Sequence, residues 1–182
     1  ACEDAAKYFA DVLKKGGAMT APVARSRFEG RMAEVTDAIC LEIARWGKSN
    51  YMGHSWWNSL CNGCLTYIDK RVPYLIGHYR THNWYPSIDA PTASLTGVAD
   101  SELVDGDEVA ENATITLANA DKGTVYYTLD GSDPRLEGGD PNTGKAMVYT
   151  EPIKLTGPAG LRARVLTAAG EWSAMEFADL NG

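Results

Sequence analysis

Apolar residues recur along this chain with two different periods, one in each half. In the first half they return every three or four positions, as on one face of a helix. Tyr8, Phe9, Val12 and Leu13 predict a helix over residues 3–15, ended by Gly16 and Gly17. Phe28, Met32, Val35, Ile39, Ile43 and Trp46 make a longer stripe, and Arg27, Arg31, Glu34, Asp37 and Glu42 lie off it as a solvated face. Thr20 predicts the N-cap of this second helix, Pro22 sits in its first turn where a missing N–H costs little, and Gly47 closes it. After a loop over 48–54, Ser55 predicts the cap of a third helix with Trp57, Leu60, Cys61, Cys64, Leu65 and Ile68 facing inward. Val72-Pro73 predicts a break, since proline has no N–H to continue the ladder, with a short helix resuming through Tyr74, Ile76 and Tyr79.

Beyond an extended connector at residues 84–91 the period falls to two. Strands are predicted near 93–98, 108–119, 124–129, 146–155, 160–168 and 171–178, separated by Gly, Pro, Asn and Asp turns. The fold class read from this pattern is α+β in two parts. An antiparallel helical unit occupies residues 1–90, and a β-sandwich of immunoglobulin or fibronectin size occupies 91–182. All four cysteines lie in the helical half, so no Cys…Trp…Cys pattern marks a true immunoglobulin domain.

The most specific run spans residues 124–134. Thr124, Tyr126 and Thr128 alternate with Val125, Tyr127 and Leu129, and the run stops on Asp130, Gly131, Ser132, Asp133 and Pro134, five turn-favouring residues.

Charge supports a boundary near residue 90. The net charge is −7, yet residues 1–90 carry 11 Lys/Arg against 9 Asp/Glu, and residues 91–182 carry 6 against 15. So acidic a half repels a phosphate backbone, and no basic stripe offsets it, so nucleic acid is not an expected partner. No apolar run approaches the ~20 residues that cross a bilayer, so no membrane span is expected. The sequence begins at Ala1 without a leader peptide, as expected of a processed or excised chain.

Asp130 and Asp133, with Asp140 further along the loop, are candidates for a calcium site, because carboxylate and carbonyl oxygens are what calcium takes. The spacing is not that of an EF-hand, and the competing reading is aspartates bonding turn amides. Glycoside hydrolysis needs carboxylates on opposite sides of a sugar, whereas these share one tight turn. Cys2, Cys40, Cys61 and Cys64 are disulfide candidates: Cys40 and Cys61 fall level on antiparallel helices and Cys2 falls near them. Free thiols and a four-cysteine zinc site remain open, the latter with only one CxxC to support it. His78 and His82 stand four apart without the acidic partner of an HExxH motif. Trp56, Trp57, Trp84 and Tyr85 fit either a sugar-stacking platform or packing between the two parts.

The run Tyr126-Tyr127-Thr128-Leu129-Asp130-Gly131-Ser132-Asp133-Pro134-Arg135 resembles the fibronectin-like domain at the C-terminus of chitobiases and many bacterial surface proteins. Residues 149–153, 161–164 and 171–173 fit the same domain. Upstream, residues 42–47, the Trp56-Trp57 pair, residues 71–80 and 84–86, and then Ala90-Pro91, are similar to the C-terminal end of the CotH family of spore-coat-type atypical kinases. The groups with which such kinases hold nucleotide and magnesium precede this tail, and this chain has no Gly-rich phosphate loop. No catalytic residue and no cofactor is therefore carried over. The resemblances imply a non-catalytic, extracellular or surface-displayed bacterial module, structural or adhesive. Its partners would be other surface proteins, copies of itself, or polysaccharide. The alternatives are an accessory part of a CotH-like kinase and a carbohydrate-binding module.

Overall fold

A computed structural model of the chain describes residues 12–13, 17–46, 53–96, 102–103, 106–110, 112–119 and 122–181. All but residues 12–13 of the helix expected over 3–15 lies outside the described residues, as does Cys2. The chain divides into two compact units, Asp11–Tyr79 and one that takes in Arg80–Gly182.

Helix α1 runs Ala21–Trp46 and helix α2 runs His54–Thr81. Thr20 begins α1 with its carbonyl, which accepts the Ala24 N–H at 2.9 Å, while its hydroxyl turns back to the Gly17 carbonyl at 2.7 Å. In α2 the capping position falls on Gly53 rather than Ser55, for the Gly53 carbonyl accepts the Trp57 N–H at 3.1 Å. The break expected at Pro73 is absent, and α2 passes straight through it. Both Pro73 and Asp69, whose carbonyl loses its intrahelical partner, are exposed, so the orphaned acceptor lies on a solvated face, where a proline is tolerated within a helix. Within this unit Arg25 pairs with Asp69 at 2.8 Å, tying the start of α1 to the middle of α2. No side chain of α1 is buried, and of α2 only Cys61 and Leu65 are. No described helix is long and apolar enough to cross a membrane.

From residue 93 onward the chain forms two antiparallel sheets. Strands β1 (Ala93–Leu95), β2 (Thr114–Leu117) and β5 (Ile153–Lys154) make one, in the order β1-β2-β5. Strands β3 (Thr124–Thr128), β4 (Met147–Val148), β6 (Ala159–Leu166) and β7 (Glu176–Leu180) make the other, in the order β4-β3-β6-β7. Three strands packed on four with this interleaving form a β-sandwich, as expected. The core between them holds Ala93, Leu103, Ile115, Leu117, Val125, Leu161, Ala163, Val165, Ala178 and Leu180. On β6, core-facing Leu161, Ala163 and Val165 alternate with Arg162 and Arg164, the period of two that one buried face demands.

Three strand expectations change, the one over 171–178 in that its strand starts only at Glu176, as β7. The single strand expected over 146–155 is two short ones in opposite sheets, β4 on β3 and β5 on β2. Between them Tyr149 still donates its N–H to Val125 at 2.8 Å, and the chain then crosses to the other sheet at Pro152, which has no N–H to pair. The strand expected over 108–119 is also split. Val109 donates to the Asn181 carbonyl at 2.8 Å beside the end of β7, and only residues from Thr114 pair with β1.

Candidate functional site

The turn after β3 is locked from three sides. Gly131 donates to the Gly160 carbonyl at 2.8 Å and Gly160 donates to the Leu129 carbonyl at 2.9 Å, clamping the turn to the start of β6. A Cβ on Gly160 would stand 2.8 Å from the Gly131 nitrogen, so only glycine allows this approach. Buried Thr128 gives its hydroxyl to the Ser132 carbonyl at 2.5 Å.

Both aspartates of the turn are committed internally. Asp130 accepts the Ser132 hydroxyl, the Ser132 N–H at 3.0 Å and the Lys145 ammonium at 2.9 Å. The Ser132 hydroxyl, then Lys145 and the Ser132 N–H, hold its carboxyl well below the usual carboxylate range. Asp133 accepts the Arg135 N–H at 2.9 Å and is gripped on both oxygens by Arg164, whose Nε and Nη2 each lie 2.9 Å away. Asp140 is exposed, and its carbonyl accepts the Leu136 N–H at 2.8 Å. Among the described residues, no group of three or more His, Cys, Asp or Glu side chains is placed to hold a metal. The structure thus gives the turn a fastening role.

Beside this turn a cleft of about 570 Å3 opens, lined entirely by residues from Arg80 onward. Its formation begins at the end of α2. Asn83 adopts a left-handed conformation (φ 56°) and donates to the Arg80 carbonyl at 3.0 Å, which stops the helix and turns the connector. Arg80 then braces the connector: its Nε donates to the Pro86 carbonyl at 2.9 Å, its Nη2 to Asp89 at 2.5 Å, and its guanidinium lies 5.6 Å from the Tyr85 ring centre. Ile88 accepts the Ala174 N–H at 3.0 Å, so the connector backbone pairs with the segment leading into β7 and covers part of that sheet edge. Burial pushes the Tyr85 hydroxyl pKa up, against the opposing pull of Arg80 and Arg164.

The opposite wall comes from the sandwich. Tyr126 on β3 sits across from Arg164 on β6, on the face turned away from the core. Trp172 packs on Tyr126, with ring centres 5.6 Å apart, and its indole N–H donates to the Gly139 carbonyl at 2.6 Å. Arg164 Nη1 donates to the Ser173 carbonyl at 2.8 Å. Trp84 lines the cleft with 54% of its surface exposed, stacked on His82 at 5.0 Å.

Of the four aromatic candidates, Trp84 and Tyr85 therefore meet at one site with Trp172. Trp56, exposed, and Trp57, half-buried, lie on α2 in the other unit. Among the described residues Cys40, Cys61 and Cys64 are free thiols and no disulfide joins these three, while Cys2 lies outside the described residues. Equal height on two helices is not enough for a bridge, because the Cβ vectors must converge, and here Cys40 is exposed while Cys61 is buried. Burial, with a smaller contribution from neighbouring Cys64, pushes the Cys61 thiol pKa up. His78 stacks on Tyr74 at 6.2 Å, and His82 falls just beyond the helix end, so the two share no helical face. Arg80 and Arg164 were not among the candidates. The signal for Arg164 was present: Arg162 and Arg164 are two cations on the outward face of an otherwise buried strand.

A family model described as the chitobiase/beta-hexosaminidase C-terminal domain matches residues 104–176. The match spans β2 to β6 and reaches the first residue of β7, and so includes the turn, Arg164 and Trp172. It does not extend to the helices, and it gives no support to the resemblance to CotH expected there. No curated protein and no solved structure matches the chain.

Proposed function

We propose that this chain is a non-catalytic binding module of an extracellular or cell-surface bacterial protein, and that its sandwich associates with carbohydrate. The observation that carries this reading is the composition of the cleft. An exposed indole and a clamped aromatic wall line it, while both aspartates of the neighbouring turn are held in internal bonds. Acid–base hydrolysis asks for two carboxylates on either side of a bond, one of them ready to give up a proton. Asp130 is held ionised and Asp133 is saturated by Arg164, so neither is suited to that task. The match to a chitobiase-type C-terminal domain supports a carbohydrate association, as an analogy of fold. The test is retention of the purified chain on insoluble chitin, cellulose and peptidoglycan, with the soluble fraction assayed for released sugar. Retention on at least one polymer without release is expected. Passage through all three, or release of sugar, would overturn the reading.

The helical unit favours a second role. Leu41, Trp46, Tyr67 and Tyr74 are each more than half exposed, apolar surface suited to a larger body such as the kinase-like domain whose C-terminal end the helices resemble in sequence. Calorimetric ATP binding in the presence of magnesium by this chain alone would favour a kinase accessory part. Absence of binding would count against any nucleotide role for it.

A further inference from the structure

We infer that the cleft beside Trp84 selects an uncharged, hydroxyl-rich ligand, a stretch of neutral polysaccharide, because Arg80 and Arg164, two of its three arginines, are already occupied. The inference rests on the binding role proposed above and names the ligand class for it. At about 570 Å3 the cleft has the size of a small-molecule site, roughly 300–1,000 Å3. Three guanidinium groups line it, which at first sight suggests an anion.

The hydrogen bonds argue otherwise. Recognition of a carboxylate or phosphate uses two parallel N–H groups of one guanidinium. Arg164 gives Nε and Nη2 to Asp133, and Nη1 to the Ser173 carbonyl. Arg80 gives Nε to the Pro86 carbonyl and Nη2 to Asp89. An incoming anion would have to displace these oxygens and would meet the negative charge of Asp133 and Asp89. The third guanidinium, Arg135, has its Nε buried and not hydrogen-bonded, and the exposed Glu171 shares the lining with it. At Arg80 and Arg164 the cleft thus sets fixed cations against nearby anions, and neither offers a free fork. It presents a half-exposed indole at Trp84, and the amide and hydroxyl of Asn83 and Ser87. These groups suit a ring with an apolar face and a rim of hydroxyls. The wall opposite needs little ordering on binding, because Trp172 is already held by Gly139 and backed by Tyr126.

Isothermal titration of the full chain with cellohexaose, N-acetylated chitohexaose and hexagalacturonate tests this. At least one of the two neutral hexasaccharides should bind, and added salt should leave its affinity unchanged. The uronate should bind about ten-fold more weakly or not at all. Trp84→Ala should weaken the neutral ligand about ten-fold or more, and Ser87→Tyr, which fills the mouth from an exposed position, should do the same. Trp56→Ala on α2 should bind as the wild type does. Three results would each overturn the inference: no binding of either neutral hexasaccharide, tighter binding of the uronate, or unchanged affinity in both cleft variants. Retention on an insoluble polymer that survives both variants would remove this cleft while leaving the binding role standing. Loss of retention by the wild type would remove both.

Discussion

Removing the Asp133 carboxylate distinguishes a structural turn from a chemical one. Asp133→Ala deletes three accepted hydrogen bonds, two from Arg164 and one from the Arg135 N–H. It also leaves the Arg164 guanidinium, whose side chain is only 11% exposed, with the Ser173 carbonyl alone. Removing one partner of a fully buried ion pair costs about 3–5 kcal/mol. Asp133 is 40% exposed, so solvent screens part of the interaction, and about 2–3 kcal/mol is the figure to expect. For a domain of this size each kcal/mol moves the melting temperature by about 4–8 °C, so the sandwich transition should fall by about 10–20 °C.

Differential scanning calorimetry of wild type, Asp133→Ala, Arg164→Met and the double variant gives both the single costs and the coupling. A coupling of about 1–2 kcal/mol is expected, since the residues touch and share no other partner of comparable strength. Coupling below about 0.5 kcal/mol would refute the fastening role, as would an Asp133→Ala protein as stable as the wild type. A carboxylate kept for chemistry behaves in the opposite sense, since replacing a strained functional group commonly raises stability.

Gly160→Ala should destabilise the sandwich by about 1–3 kcal/mol in urea unfolding, because its Cβ meets the backbone of Gly131 at 2.8–2.9 Å; an unchanged midpoint would mean that the turn is not clamped there. Asp130 has a folded-state pKa below its ordinary value, so its charge favours the fold above about pH 4 and that contribution fades as pH falls toward the folded value. Asp130→Asn should therefore lose less stability than the wild type on acidification below about pH 4, and parallel acid limbs in thermal melts would contradict the assignment. Iodoacetamide at neutral pH should modify Cys40 and Cys64 and spare Cys61 until the chain is unfolded, as read by peptide mass. Equal labelling of Cys61 in the folded protein would place that thiol at the surface.

The sandwich was legible because its signals are local and agree with one another. Alternation at Val125, Tyr127 and Leu129 names the core face of β3, and Asp130 to Pro134 name the turn. What was not legible depends on pairing at long range. Met147–Val148 and Ile153–Lys154 read as one strand because their residue types are alike, and only the partners, β3 and β2, assign them to different sheets. Pro73 misled for the converse reason: the rule for proline assumes a carbonyl cut off from any partner, and Asp69 lies on an exposed face. At the cleft, Trp84 and Tyr85 could be proposed from residue type. Their meeting with Trp172 and Arg164 requires the connector to pair with the segment before β7, across more than eighty residues of sequence.

The two units differ in what each needs from its surroundings. The sandwich pairs Arg162 with Asp179 at 2.7 Å and Arg164 with Asp133, and it closes an apolar core. Such a body holds its shape unaided, so a cleft on it can be preorganised and bind with little ordering cost. The helices have the reverse balance. Most of a helix's stability in a protein comes from burying its apolar face, yet α1 buries no side chain and α2 buries two. Their exposed Leu41, Trp46 and Tyr74 are what such helices would bury against a covering surface. Recognition by a rigid cleft and attachment through an exposed helical face are different physical tasks, and the binding role proposed above asks only the first of them of the sandwich.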